Sequence, residues 1–430
     1  MKFIYLVLTL LLLAATTSYA QVINGRLTTS VYGWQGRTAT SALDKVTYLR
    51  GYENVQLDVF HEKFSFSTNF QVANDFASTL SQDPELRLST FSLKARRIAD
   101  MIDISAGRQY VFAGVGNGII DGAVTKFSYM DGKVTAQLYG GYNVIQTRTI
   151  NLNKKLLDNG LYGGQITATP LQDMIVGFSY MKRTHKPDAV TLQRVDSLFH
   201  PYTVVMYYSP TEEDYASFDA EYLFSTKLRT YGRFDYDLNF ERIARGELVA
   251  RVGVMNQLNV TAEYIYRQPR LGYNSIFSVF STNSTQEIEG GVEYDFSSTF
   301  RTFARFGYVK YVDDNSQRIR FGGTYEFLSA AFTKNLGYAG DLNGLSLQAA
   351  YPMMEQLITP TLGVGYASYK LAKDAPSNTT MNGMVGVTYR LTTILSADVQ
   401  LQYIKNTLYD SDTRIFVKFS YLFNKRLGLI

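Results

Sequence analysis

Cysteine is absent from these 430 residues, histidine occurs three times and proline nine times. Without cysteine no disulfide can staple an exported fold, no lipid-accepting thiol can follow a leader, and no haem-binding cysteine pair can form. The three histidines leave little for metal or acid–base chemistry. His61 falls in a short turn, while His185 and His200 share one long polar stretch with Asp188 and Asp196. Those four side chains have metal-ligand chemistry, but their spacing matches no compact ligand pattern and reads as a solvated loop. No serine or aspartate is set beside a histidine in a recognisable catalytic pattern, so neither an enzyme nor a cofactor is expected. Long apolar runs are missing from the interior of the chain, which excludes membrane-spanning helices. Charge of one sign is missing too. The 42 basic and 38 acidic residues leave +4, without the concentrated basic surface that a nucleic-acid partner requires.

The first twenty residues stand apart. Lys2 precedes an apolar core from Phe3 to Ala15, and Ser18-Tyr19-Ala20 forms a small-x-small cleavage site before Gln21. This is the pattern of a secretory signal peptide, 1–20, cut after Ala20. Residues 21–430 then form one domain.

Aromatic residues and glycine are abundant, with 33 Tyr, 27 Phe and 33 Gly. They sit in segments of alternating character. In Phe64–Val72, Phe64, Phe66, Phe70 and Val72 alternate with Ser65, Ser67, Asn69 and Gln71. Between Arg242 and Arg267 two such segments face each other across Asn256-Gln257. Leu248, Val252, Val260 and Tyr264 fall on one side; Arg245, Glu247, Arg251, Glu263 and Arg267 fall on the other. Period-two patterning means a β-strand with a different solvent on each face. A turn centred on Gln257 sets Arg251 opposite Glu263 and Glu247 opposite Arg267. A close turn near Phe240 sets Arg233 opposite Glu247 and Asp235 opposite Arg245.

Short connections, as at His61-Glu62-Lys63 and Asp131-Gly132, alternate with longer polar or glycine-rich excursions such as 33–45, 73–85, 111–122, 143–160, 183–214 and 268–284. That alternation predicts an all-β fold: a transmembrane antiparallel up-and-down β-barrel with short periplasmic turns and long extracellular loops. About 22 strands are expected, with 18 to 22 compatible, provided that Tyr202–Tyr208 belongs to an extracellular excursion and not to the wall. The first strand is placed at Arg26–Tyr32, with no segment before it long enough for a plug domain. The last is placed at Ile415–Phe423, its terminal aromatic residue suiting recognition by the barrel-assembly machinery.

The run Gly107-Arg108-Gln109, then Gly114-Val115-Gly116-Asn117-Gly118 and Asp121-Gly122, resembles the GRQ and DG landmarks of porin-like outer-membrane barrels, and Asn274-Ser275-Ile276-Phe277 adds to the resemblance. The resemblance implies a single-domain barrel and passive transport. On its own chemistry the glycine-rich run is no phosphate cradle, because it lacks a Gly-Lys-Ser/Thr ending and leads into a strand. In step with Met101–Ala106, Arg108 turns toward lipid; a bulge at Gly107 is expected to bring it inward. Gly114, Gly116, Asn117, Gly118 and Asp121, and the apolar group Ile276, Phe277 and Phe280, are candidate constriction loops. Packing at the outer rim is the plainer expectation for both.

Charge ladders complete the pattern. Arg229, Arg233 and Asp235 share a strand face, as do Glu287, Glu289, Glu293 and Asp295, and the following strands present Arg301, Arg305, Arg318 and Arg320. An arginine facing lipid at mid-depth costs about 2 to 4 kcal/mol, so these residues are predicted to line the lumen. Opposed charges of this kind rigidify a wall, and clustered ones create a transverse field that filters solutes. The leading expectation is a porin-like channel in the outer membrane of a diderm bacterium, passing small hydrophilic solutes by diffusion. The alternative is a scaffold barrel that encloses or anchors a partner such as a secreted cytochrome or a surface protein. Membrane lipid surrounds the barrel in either case, and homo-oligomers are compatible with both.

Overall fold

The computed structural model describes residues 21–38, 41–77, 84–144, 155–187, 189–195, 197, 199–207, 211–269, 284–312, 314–337, 341–370, 374–407 and 411–427. The strands, in chain order, are β1 Gln21–Thr38, β2 Ser41–His61, β3 Phe64–Asp75, β4 Glu85–Ile98, β5 Ile102–Ala113, β6 Gly116–Tyr129, β7 Val134–Asn143, β8 Gly160–Ala168, β9 Met174–His185, β10 Val190–Val195, β11 Pro201–Met206 and β12 Thr211–Ser225. They continue with β13 Leu228–Asp237, β14 Arg242–Met255, β15 Leu258–Arg267, β16 Thr285–Asp295, β17 Phe300–Lys310, β18 Asn315–Tyr325, β19 Leu328–Gly337, β20 Leu342–Ala350, β21 Ile358–Tyr369, β22 Asn378–Arg390, β23 Leu395–Asn406 and β24 Asp412–Leu427. Each wall strand pairs antiparallel with its neighbours, and β1 pairs with β24 from Gln21↔Leu427 to Gly33↔Ile415, which closes a 22-stranded sheet. Closure leaves no strand edge for lipid to solvate.

β10 and β11 pair only with each other, from Val190↔Met206 to Val195↔Pro201, in a separate two-stranded sheet between β9 and β12. The stretch around Tyr202 therefore stands outside the wall, as the strand parity requires. Several strands run farther than their sequence patterns suggest. β1 extends to Thr38 and β2 starts at Ser41 within the expected 33–45 excursion, and β5 and β6 carry the ladder through most of 111–122. Polar residues at strand ends do not stop a ladder where both faces are wet.

Directly paired residues share a face, so the register carries face identity from strand to strand. Starting from Arg320, the pairs Arg320↔Thr333, Thr333↔Gly344, Gly344↔Ala367 and Ala367↔Thr380 keep one set of side chains together without a register shift. This face is polar. The opposite one carries Leu248, Tyr264, Phe306, Phe321, Phe419 and Tyr421, all exposed. A hollow single-layer wall in a bilayer turns its apolar face to lipid and its polar face to the interior.

One register differs from the sequence expectation. Arg251 pairs with Thr261 and Glu247 with Ile265, while Arg245 pairs with Arg267 and Val249 with Glu263. The turn at Asn256-Gln257 is tight, and a shift between Gly253 and Met255 displaces the ladder from the symmetric hairpin. The neighbouring hairpin behaves as expected, with Arg233↔Glu247 and Asp235↔Arg245.

Candidate functional site

The ladder residues assemble into a network across β12–β18, because alternate residues on adjacent strands place their side chains within reach of one another. Glu289 is its centre. Buried to 7% exposure, it accepts from Arg318 and Arg320, each at 2.7 Å, and has Arg305 at 3.5 Å. Arg318 also pairs with Glu287. Arg305 bridges to Glu293 at 2.9 Å, which in turn holds Arg251 at 2.9 Å. Arg301 pairs with Asp295, and Arg245 with Glu247. Asp235 is fully buried between Arg233 at 2.7 Å and the Ser217 hydroxyl at 2.6 Å, and Arg229 holds Glu221 at 2.6 Å. Glu263 and Arg267 lie on the same face, and among the described residues neither closes an ion pair there. With most charges paired, little long-range field is left.

The glycine-rich hairpin behaves differently from a rim loop. β5 stays beside β4 only as far as Phe91↔Arg108, whereas its ladder with β6 continues to Ala113↔Gly116. Beyond that level the hairpin leaves the wall and folds inward. At its tip the Val115 N–H donates to Ser179 Oγ on β9 at 2.9 Å, and Arg183 donates to the Asn117 carbonyl. Val111, Ala113, Val115 and Ile120, each no more than 1% exposed, pack with Tyr139, Leu161, Met181 and Tyr215 from β7, β8, β9 and β12. Gly114 and Gly116 sit where the fit is closest: a Cβ on Gly114 would lie 2.1 Å from Ser179 Oγ, and one on Gly116 1.9 Å from the Tyr139 hydroxyl. The reverse side of the hairpin presents Tyr110 and Phe112, stacked at 6.1 Å.

Arg108 explains how the bend is tolerated. Gly107 has φ of +117°, a conformation open to glycine, but the registers with β4 and β6 continue through it without a shift. The expected bulge is therefore not what buries Arg108. The residue remains in step with Phe91, on the apolar side, and its guanidinium fills the seam where β4 and β5 part. There it donates to Asp121 at 2.7 and 2.6 Å and to the Leu88 carbonyl at 3.0 Å. That carbonyl belongs to the stretch of β4 that has lost β5 as a partner, and the register shift beside Ser89 turns the strand there. Gln109 reaches Ser105 Oγ at 2.5 Å and the carbonyls of Ser105 and Gly122 at 3.3 Å. The GRQ and DG landmarks thus form one device: a flexible residue, a salt bridge and an amide that together satisfy a broken ladder.

Ile276, Phe277, Phe280, Asp188 and Asp196 lie outside the described residues, as do residues 1–20. His185 bonds Asn159 through Nδ1 at 2.9 Å, and among the described residues no group of acidic and histidine side chains is arranged to hold a metal. A cluster that sequence reasoning missed joins Arg50 on β2 to Asp75 at 3.3 Å and Glu85 at 2.7 Å. Its members come from three consecutive strands, β2, β3 and β4, and Arg50 meets Asp75 as its direct cross-strand partner, so only the register reveals it.

No protein-family model and no curated protein matches this sequence. Among solved structures, a variant of the ferric enterobactin receptor PfeA from Pseudomonas aeruginosa is similar over 93% of this chain and 80% of its own, at 10% identity and a TM-score of 0.59. The P pilus usher PapC translocation pore aligns over 93% and 99% of the two chains at 8% identity and a TM-score of 0.48. OccAB4 of Acinetobacter baumannii aligns over 95% and 99%, at 8% identity and a TM-score of 0.44. At such identity the likeness to the receptor is one of fold.

Proposed function

We propose that the chain is a porin-like outer-membrane channel through which small hydrophilic solutes diffuse, with the β12–β18 charge network lining its wall and the in-turned β5–β6 hairpin narrowing its outer part. The observation that carries this reading is a closed 22-stranded wall whose inner face carries ladders of paired charge. A barrel of that strand number has an interior wide enough for water. Arginines and carboxylates that must stay solvated are stable on such a face and costly on the other. The reading includes export by residues 1–20, removal of that leader, and insertion by the barrel-assembly machinery. The test is conductance of refolded protein in planar bilayers. Stepwise openings that persist in salt solutions of small organic ions are expected; membranes that contain folded barrel and stay electrically silent sink the proposal.

A further inference from the structure

Most rings of this wall lie where lipid would be. The chain's one tryptophan, Trp34, does not. From Thr380 the register runs through Asn406, and from β23 to β24 and β1, without a shift: Ile404↔Asp412, then Tyr32↔Phe416 and Trp34↔Tyr48. Phe416, Tyr32, Trp34 and Tyr48 are therefore on the inner face with Arg320, at the end of β1 opposite the chain termini. The mouth-side aromatic belt that barrels direct at the lipid interface does not account for them.

The rings form a strip. Tyr32 and Trp34 stack at 5.1 Å with planes 24° apart, Trp34 and Tyr48 at 5.2 Å and 19°, and Phe416 meets Tyr32 edge-on at 6.4 Å. A contact spacing of about 3.5 Å means that rings separated this far are slipped by about 3.7 Å, so part of each face is uncovered. Gly36 makes the last step possible, since a Cβ there would lie 2.9 Å from the Tyr48 ring.

Amides flank the strip on its β23 side, where Gln400 is directly opposite Phe416 and Gln402 opposite Arg414. On its β2 side Arg50 is directly opposite Tyr32. The nearby charges are closed on one another: Asp412 takes Arg414 at 2.7 Å and the Gln35 N–H at 3.2 Å, and Arg50 is held by Asp75 at 3.3 Å and Glu85 at 2.7 Å. Among the described residues beside the strip, Arg50 and Arg414 already hold carboxylates, so an anionic ligand would have to displace them, and a purely apolar one would strand the amides. A sugar ring satisfies both parts, its C–H face on an aromatic ring and its hydroxyls on amides.

We propose that this strip binds neutral oligosaccharides in the outer mouth of the barrel. As the first contact of a permeating solute it rests on the channel reading, but binding is measurable without conduction.

Trp34 is the reporter, because no other tryptophan contributes to the emission. Folded protein in detergent is titrated with maltohexaose, with cellotetraose and with the anionic trigalacturonate. A saturable emission change with at least one neutral sugar, absent with trigalacturonate, is expected. Tyr48→Leu and Phe416→Leu are expected to weaken it by about tenfold each, and Tyr48→Phe to leave it unchanged. If Tyr48→Leu does not fold, Phe416→Leu carries the comparison. No response to either neutral sugar, tighter response to trigalacturonate, or equal response in the leucine variants overturns the proposal. A conducting barrel without sugar response removes this site and leaves the channel; sugar binding by a silent barrel removes the channel and leaves the site.

Discussion

Replacing Arg108 with alanine should release the tip of the β5–β6 hairpin from the inner wall. The guanidinium makes two charge-assisted hydrogen bonds to Asp121, at 2.7 and 2.6 Å, and one to the Leu88 carbonyl at 3.0 Å. Arg108 and Asp121 are opposite one another within the β5–β6 ladder and stay paired when the hairpin lifts, so the bond to Leu88 is the one that docking adds. A hydrogen bond from a charged group contributes about 1.5 to 3 kcal/mol. At 1.36 kcal/mol per decade, about 1.5 kcal/mol is an increase of about tenfold in the open population. The assay uses the absence of cysteine. Val115 is 1% exposed when docked, so a V115C thiol reacts with a water-soluble methanethiosulfonate in proportion to opening. Labelling should be slow in V115C alone and about tenfold faster with R108A added. Equal rates in the two proteins, or a V115C thiol that already reacts like an exposed one, refute the reasoning.

Two further outcomes follow from the charge network. Neutralising Arg301, Arg305, Arg318 and Arg320 together should shift the reversal potential of a salt gradient toward cation selectivity, because Glu287, Glu289, Glu293 and Asp295 lose their compensating charges; an unchanged potential leaves the arginines a structural role only. Glu289→Leu should lower unfolding stability by about 2 kcal/mol, read as a fall in the urea midpoint, since three arginines lose a shared partner in a wet interior. A midpoint unchanged within error rules out Glu289 as the centre of the network.

The alternation of Leu248, Val252 and Tyr264 with Arg245, Glu247 and Arg251 was enough to read the wall, because lipid and water impose a two-residue period that no soluble sandwich needs so often. The pairs Arg233↔Glu247 and Asp235↔Arg245 were legible for the same reason, with turn length setting the sum of paired positions. The β14–β15 register was not legible, since one extra residue near Val254 leaves no mark in the alternation. The inward fold of β5–β6 was hidden more deeply. Val111, Ala113 and Ile120 alternate like any wall strand, and what they pack on, Leu161, Met181 and Tyr215, is distant in the chain. The place of Trp34 emerges only when face identity is carried from strand to strand around the barrel.

The parting of β4 from β5 above Phe91 has a mechanical side. Below that level the wall is a complete hoop, and widening it anywhere means breaking a ladder of backbone hydrogen bonds. Above it, five residues of β4, Glu85 to Leu88 and Thr90, pair with β3 alone, and a single arginine stands in for the missing rungs. The hoop there is a split ring closed by a latch. Such a ring yields at its slit before any ladder of the complete hoop beneath it has to break.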